Sequence, residues 1–141
     1  MDKLKLVLKA TRVTQWIKNI VLFAPIVFSG LLFAPGYFTT VVWATLLFCL
    51  LSSSIYLFND IIDAPKDRLH PFKKKRPIAS GELPLPIAVF MFISLLGLSL
   101  WLGAITSTFF FLTQLGYFAL NILYTLWWKS IPIVDVFVIA A

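Results

Sequence analysis

Two long segments without a charged side chain dominate this sequence, one over residues 19–58 and the other over residues 83–128. A helix that crosses a bilayer needs about 20 mostly apolar residues, so each segment is long enough for two crossings. Short stretches rich in Gly and Pro, or in Ser and Thr, divide each segment near its middle and predict turns. Since 60% of the 141 residues are apolar and only 13% are charged, a soluble enzyme is excluded.

The pattern predicts an all-α integral membrane protein with a single transmembrane domain over residues 1–141. The predicted spans are 20–34, 38–58, 86–102 and 107–127, with a truncated fifth over 131–141. Before the first span, apolar residues at helical spacing among lysines predict an interfacial helix, although a cleaved signal peptide is the alternative interpretation. The fifth segment is too short to cross a bilayer, so we expect an incomplete helical bundle that is inactive on its own.

The net charge of +6 is distributed as in a membrane protein, so no nucleic-acid partner is expected. All twelve Lys and Arg lie before the first predicted span, between the second and third spans, or just after the fourth. The positive-inside rule then places the N-terminus and the loop over 59–84 in the cytoplasm, at a bacterial-type inner or plasma membrane. The single Cys49 excludes a disulfide within the chain.

Three of the six acidic residues follow the second predicted span, at Asp60, Asp63 and Asp67. On a helix Asp60 and Asp67 point the same way and Asp63 lies within about 60° of them. Such a carboxylate cluster repels itself unless a cation lies within it, and oxygen ligands suit Mg²⁺, which also binds phosphate. Pro65 predicts a kink or break before Asp67. The alternative interpretation is a solvated helix end.

A basic run follows the aspartates, with five cations within nine residues: Arg68, Lys73, Lys74, Lys75 and Arg76. Carboxylates followed by Lys and Arg suit a metal-bridged diphosphate, because the metal neutralises some oxygens and the cations neutralise others. The alternative is a topology signal or a contact with anionic lipid. We interpret His70 as a turn residue or an extra phosphate contact, not as a base.

The spacing Asn59-Asp60-x-x-Asp63-x-x-x-Asp67 resembles the first aspartate motif of the UbiA superfamily of membrane prenyltransferases. The segment Arg76–Gly81 follows it at a spacing similar to that of the family. More narrowly, Gln15–Asn19, Tyr56–Asp60 and Asp67–Pro71 resemble the branch of decaprenyl-phosphate phosphoribosyltransferases. The resemblance covers essentially the whole chain, but only about the first half of the family's nine-helix bundle.

The resemblance implies that Asn59, Asp60, Asp63 and Asp67 hold Mg²⁺ on a donor diphosphate. In the phosphoribosyl branch the donor is phosphoribosyl pyrophosphate and the acceptor is a polyprenyl phosphate. An aromatic or quinone-precursor prenyltransferase that uses a prenyl diphosphate is the alternative, and a non-catalytic protein that binds anionic lipid is a second one. The candidate phosphate-binding residues are Lys18, Arg68, Lys73, Lys74, Lys75, Arg76 and Lys129.

Tyr124 and Lys129 resemble the family's tyrosine-lysine signature, and their spacing of five favours the phosphoribosyl branch. The alternative interpretations are an interfacial tyrosine and a topology anchor. Asp135 is costly in lipid, so we expect it to face the bundle interior or a partner. Tyr124 and Asp135 are therefore candidate substrate contacts. The family's second acidic motif lies further along than Ala141, and the sequence leaves the prenyl chain length and the oligomeric state open.

Overall fold

The computed structural model describes residues 3–127, which are helical apart from turns and loops. The α-helices are α1 (Lys3–Ala10), α2 (Ala24–Phe28), α3 (Tyr37–Leu69), α4 (Leu85–Thr106) and α5 (Thr108–Leu126), and 3₁₀ segments cover Val13–Phe23 and Lys73–Lys75. The prediction of an all-α fold is confirmed. The predicted segment over 131–141, with Asp135, and Lys129 lie outside the described residues.

Helices α3, α4 and α5 are each long and apolar enough to cross a membrane, and they correspond to the second, third and fourth predicted spans. Large apolar side chains on their outer surfaces, such as Phe90, Trp101 and Phe109, are exposed. Apolar surface of this extent is unusual on a soluble monomer and is expected where lipid covers a helix. The long helices therefore support an integral membrane protein.

The first predicted span, 20–34, is not one long helix, and this prediction of its extent was wrong. The apolar segment begins earlier, at Val13, as a 3₁₀ helix, and continues as α2 only to Phe28. Pro25 lies in the first turn of α2, where its missing N–H costs nothing. Gly30 then takes a positive φ of 72°, a conformation that favours glycine and turns the chain away from the helix.

Helix α3 continues 11 residues beyond the predicted end of its span at residue 58, through Pro65 to Leu69. The predicted break at Pro65 is therefore wrong, and the first part of the predicted loop over 59–84 is helical. A proline within a helix removes one hydrogen bond and crowds the preceding turn. Burial of Ala64 in the core and of Asp67 beside it supports the turn that contains the proline.

The three long helices are joined by a chain of buried hydrogen bonds. Gln114 Nε2 of α5 donates to Ser99 Oγ of α4 at 3.0 Å, and Ser99 Oγ donates to the carbonyl oxygen of Leu47 in α3 at 2.9 Å. The turn between α4 and α5 is a single residue, Ser107, whose Oγ caps α5 by accepting from the Phe110 N–H. These bonds fix α5 against the other two helices.

A small hydrophobic core holds the chain together at the end of α3 that carries the aspartates. Its buried members are Ala10, Leu57, Ala64, Ile78, Leu83 and Ala88, from α1, α3, the loop and α4. Because Ile78 and Leu83 are buried, the loop between α3 and α4 is packed against the helices. This packing positions Arg76, which immediately precedes the buried segment.

Candidate active site

Asp60 and Asp67 lie on one face of α3 and are almost completely buried, with 3% and 4% of their surface exposed. Arg76 lies between them, because its Nη1 donates to Asp67 Oδ2 at 2.6 Å and to Asp60 Oδ1 at 3.1 Å. A guanidinium presents several N–H donors in a rigid fork and suits such bridging. The cation that the self-repelling carboxylates require is therefore supplied by the chain itself.

A second arginine reaches Asp60 from the N-terminal part of the chain. Arg12 Nη2 donates to Asp60 Oδ1 at 2.6 Å, and the Arg12 guanidinium carbon lies 4.8 Å from the centre of the Tyr56 ring. A cation over an aromatic face is attracted by the ring quadrupole. These two contacts bring the connection between α1 and the 3₁₀ segment to the aspartate-bearing end of α3.

An open cleft of about 500 Å³ lies beside Asp60. Its lining is strongly basic and includes Lys9, Arg12, Lys73, Lys75 and Arg76, together with Asp60. The residues come from the N-terminal segment, from α3 and from the basic loop, so the cleft exists only in the folded chain. Lys and Arg in this density suit an anion with several oxygens, such as a phosphate group.

Asn59 is held by a residue of another helix. Thr125, which is buried on α5, donates a hydrogen bond from its Oγ1 to Asn59 Oδ1. Thr125 Oγ1 also lies 2.8 Å from the carbonyl oxygen of Asn121, one turn earlier. Asp63 on α3 and Tyr124 on α5 are half-buried. The start of the aspartate motif is thus anchored to the last described helix.

His70 ends α3 and organises the loop that follows. Its Nδ1 accepts from the backbone N–H groups of Phe72 and Lys73 at 3.2 and 3.3 Å. This arrangement matches the interpretation of His70 as a turn residue, and it presents the basic loop toward the cleft.

The family model described as the UbiA prenyltransferase family matches residues 22–141, which is most of the chain. The chain belongs to the UbiA prenyltransferase family. This confirms the resemblance seen in the aspartate motif. The prediction of a transferase agrees with the family's description.

Individual relatives extend the similarity to the N-terminal segment. A decaprenyl-phosphate phosphoribosyltransferase of Corynebacterium glutamicum is 36% identical over 138 residues, which cover 95% of this chain and 42% of the relative. The enzyme of the same name from Mycolicibacterium smegmatis is 34% identical, over 95% of this chain and 43% of its own length. The nodulation protein NoeC of Azorhizobium caulinodans is 33% identical, over 94% of this chain and 43% of its own length. The chain spans less than half the length of these relatives.

The predicted phosphate ligands of this UbiA chain fall into three groups. Lys73, Lys75 and Arg76 line the cleft. Lys18, Arg68 and Lys74 are exposed and are not among the cleft residues named above. Lys129 lies outside the described part of the chain, as does Asp135, while Tyr124 lies on α5 one residue before Thr125. The structure therefore brings together only part of the predicted set.

Sequence reasoning missed three residues of the candidate site: Lys9, Arg12 and Thr125. The two cations were interpreted as part of the N-terminal topology signal, since a basic segment before a span is common in membrane proteins. The position of Arg12 three residues before the Gln15–Asn19 motif was the one available signal for it. Thr125 carries no signal in the sequence, because its contact with Asn59 depends on how α5 packs.

The oxygen atoms of the aspartate motif suit Mg²⁺ only if a bound substrate supplies further oxygen ligands. Within residues 3–127, no three His, Cys, Asp or Glu side chains are grouped so as to hold a metal ion. Oδ1 of Asp60 and Oδ2 of Asp67 accept from arginines. Mg²⁺ commonly binds one or two carboxylates and completes its shell with phosphate oxygens and water. Asp60 and Asp67 would supply the carboxylates for that mode, and both Mg²⁺ and the ligand set of Asn59, Asp60, Asp63 and Asp67 stay predictions.

Proposed function

We propose that this chain forms the N-terminal part of a Mg²⁺-dependent membrane transferase that moves a 5-phosphoribosyl group from phosphoribosyl pyrophosphate to a polyprenyl phosphate. The observation that carries the proposal is the basic cleft beside Asp60, because cations suited to phosphate groups lie there next to a buried carboxylate. The similarity to decaprenyl-phosphate phosphoribosyltransferases favours a ribosyl donor.

In the proposed reaction a phosphate oxygen of the lipid attacks the ribose carbon that carries the diphosphate. The new carbon–oxygen bond forms as the bond to the diphosphate breaks, and the leaving diphosphate keeps the electron pair. Attack from the opposite face inverts the configuration at that carbon. Bound Mg²⁺ would neutralise charge on the leaving group. Arg76 and the lysines of the cleft wall would stabilise the remaining charge.

The distribution of charge supports a cytoplasmic site. Cations flank the aspartate-bearing end of α3, and the turn between α4 and α5 at the other end of the bundle carries no charge. By the positive-inside rule the cleft then opens toward the cytoplasm, where a water-soluble phosphorylated donor is available. The lipid tail of the acceptor would lie in the bilayer beside the exposed apolar helix surfaces.

Transfer of a prenyl group to an aromatic ring or a quinone precursor is the second candidate. The description of the matching family, which names prenyltransferases, favours it. The two candidates differ in the bond that breaks: a ribosyl–diphosphate bond in the first and a prenyl–diphosphate bond in the second. A non-catalytic protein that binds anionic lipid is the third candidate, and it predicts that the aspartates are dispensable.

The deciding experiment supplies the full-length protein in membranes with polyprenyl phosphate, Mg²⁺ and phosphoribosyl pyrophosphate labelled in the ribose. We expect a labelled lipid that disappears with Asp60→Asn and with Asp63→Asn, while membrane insertion is retained. Glu82→Gln is the matched control, because Glu82 is an exposed acid in the loop after α3. Consumption of a prenyl diphosphate without labelled lipid would favour the second candidate, and full activity of both aspartate variants would contradict either transferase.

A further inference from the structure

We propose that Lys9 and Arg12 complete a phosphate-binding site, with the N-terminal segment as one wall of the cleft and the basic loop as the other. The ligand is a phosphomonoester group, supplied either by the 5-phosphate of the donor or by the phosphate of the polyprenyl acceptor. The inference rests on the proposed function for the identity of these two substrates. It assigns a binding role to charges that the sequence alone explains as a topology signal.

The balance of charge in the cleft points to an anion. Among residues 3–127, five cations line it, and Asp60 is the one acidic residue of the lining. The Asp60 carboxylate is already paired with Arg12 and Arg76. The described lining therefore offers no further acidic group to balance the three lysines, Lys9, Lys73 and Lys75. Like charges gathered at one concave surface repel each other, and a bound anion with several oxygens relieves that repulsion.

The two walls of the cleft are in direct contact. Lys9 Nζ, on α1, donates to the backbone carbonyl oxygen of Lys75 in the basic loop at 3.2 Å. This bond uses one of the three N–H donors of the ammonium group, and the other two remain for a ligand. Lys9 thus lies where the two walls meet.

The N-terminal wall is fixed to α3 by two hydrogen bonds of buried Ser53. Ser53 Oγ donates to the carbonyl oxygen of Thr11 at 2.9 Å and accepts from Trp16 Nε1 at 2.9 Å. Ser53 and Ala10 are both buried, with only 1% of their surface exposed. A wall held in this way is preorganised, so ligand binding does not have to pay for ordering it.

The backbone of Arg12 supports a functional role. Its φ of 50° makes it the one described non-glycine residue with a positive φ. Residues in this region carry conformational strain and persist where surrounding contacts hold them, which is frequent at ligand sites. Here the contacts with Asp60 and Tyr56 hold the side chain at the edge of the cleft.

The N-terminal wall lies before the part of the chain that matches the family model. The UbiA family match begins at residue 22, beyond both Lys9 and Arg12. The similarity to the two decaprenyl-phosphate phosphoribosyltransferases covers 95% of the chain, and so it takes in both cations. The N-terminal wall therefore lies outside the family match and within the region that is similar to these relatives.

The test measures binding directly, in full-length protein reconstituted in nanodiscs of zwitterionic phosphatidylcholine. The probes are ribose 5-phosphate, for the donor, and geranyl phosphate, for the acceptor, titrated by calorimetry. The variants are Lys9→Gln and Arg12→Gln. Lys66→Gln is the matched control. Lys66 is exposed on α3, and its replacement removes one positive charge from the same end of the protein. Because Arg12 also pairs with buried Asp60, Lys9→Gln keeps the test valid if Arg12→Gln does not fold.

We expect Lys9→Gln to weaken the binding of one probe about tenfold or more, as for loss of a charge-assisted hydrogen bond, and Lys66→Gln to leave it unchanged. An effect on ribose 5-phosphate assigns the site to the donor, and an effect on geranyl phosphate assigns it to the acceptor. Equal affinities in Lys9→Gln and Lys66→Gln overturn the inference. The inference is also overturned if Lys9→Gln binds both probes normally and binds only phosphatidylglycerol vesicles more weakly, because that result would indicate a contact with lipid headgroups. If Lys9→Gln weakens probe binding but the wild-type protein transfers no ribosyl group, the result contradicts the proposed function and leaves the phosphate-binding site in place.

Discussion

Arg76 Nη1 donates a hydrogen bond to Asp67 Oδ2 at 2.6 Å, which fastens the last turns of α3 to the loop that follows them. The same nitrogen reaches Asp60 two turns earlier, so one guanidinium holds two buried carboxylates. Removing one partner of a buried ion pair leaves the other charge uncompensated and costs about 3–5 kcal/mol. The aspartates are thus kept in place by the chain before any substrate binds.

Replacing Arg76 by methionine should therefore destabilise the protein. We expect Arg76→Met to lower the free energy of unfolding by about 3 kcal/mol, near the lower end of that range because the Arg76 side chain is 28% exposed. Thermal unfolding in detergent measures the change, and Lys74→Met, at an exposed position of the same loop, is the control. Asp67→Asn should lower the free energy of unfolding less in the Arg76→Met background than in the wild-type protein. If the effects of the two substitutions simply add, the pairing of Arg76 with Asp67 is contradicted.

The positions of the long helices and of the aspartates on one face could be predicted because both follow from local pattern. Uncharged length predicts a span, and the seven-residue separation of Asp60 and Asp67 is two helical turns. The break predicted at Pro65 was wrong because local preference does not include tertiary support. Packing of Ala64 and the bonds of Asp67 to Arg76 stabilise the turn that Pro65 weakens.

The contacts of Arg12 could not be predicted, because they join residues 48 positions apart in the chain. Arg12 is one of five positively charged residues within the first 18, and the topology signal explains each of them equally well. What distinguishes Arg12 is a left-handed backbone conformation and a partner on another helix. The pairing of Thr125 with Asn59 depends in the same way on the packing of α5.

Ser53→Ala should loosen the N-terminal segment. The substitution removes the acceptor of the part-buried Trp16 indole and the donor to the buried Thr11 carbonyl. Loss of such partners costs about 1–3 kcal/mol per buried group left without one. We expect faster amide hydrogen exchange in residues 11–19 and an altered Trp16 fluorescence, with little change in α4. Ser94→Ala, at an exposed position of α4, is the control, and equal exchange in both variants would contradict the anchoring role.

Thr125→Val should impair turnover more than stability. Valine keeps the shape of threonine and removes the hydroxyl that holds Asn59. If Asn59 acts in the proposed transfer, we expect kcat to fall about tenfold, as for one lost hydrogen bond, with wild-type activity in Thr125→Ser. Thr113→Val is the matched control, because Thr113 is exposed on α5 and its hydroxyl donates to the carbonyl oxygen of Phe109 on its own helix. A similar loss in both valine variants would indicate a general effect on α5.

Gly103→Ala should destabilise the packing of α4 against α5. A Cβ at Gly103 would overlap Gln114 Oε1 and lie 2.9 Å from Gln114 Cδ, and Gln114 is fully buried and bonded to Ser99. Overpacking of this kind costs about 1–3 kcal/mol, measurable by thermal unfolding in detergent. Gly97→Ala is the control on the same helix, because its Cβ meets no atom within 4 Å and alanine favours the helix. In a Gln114→Ala background the cost of Gly103→Ala should disappear, and a cost that persists there would place the obstruction elsewhere in the helix pair.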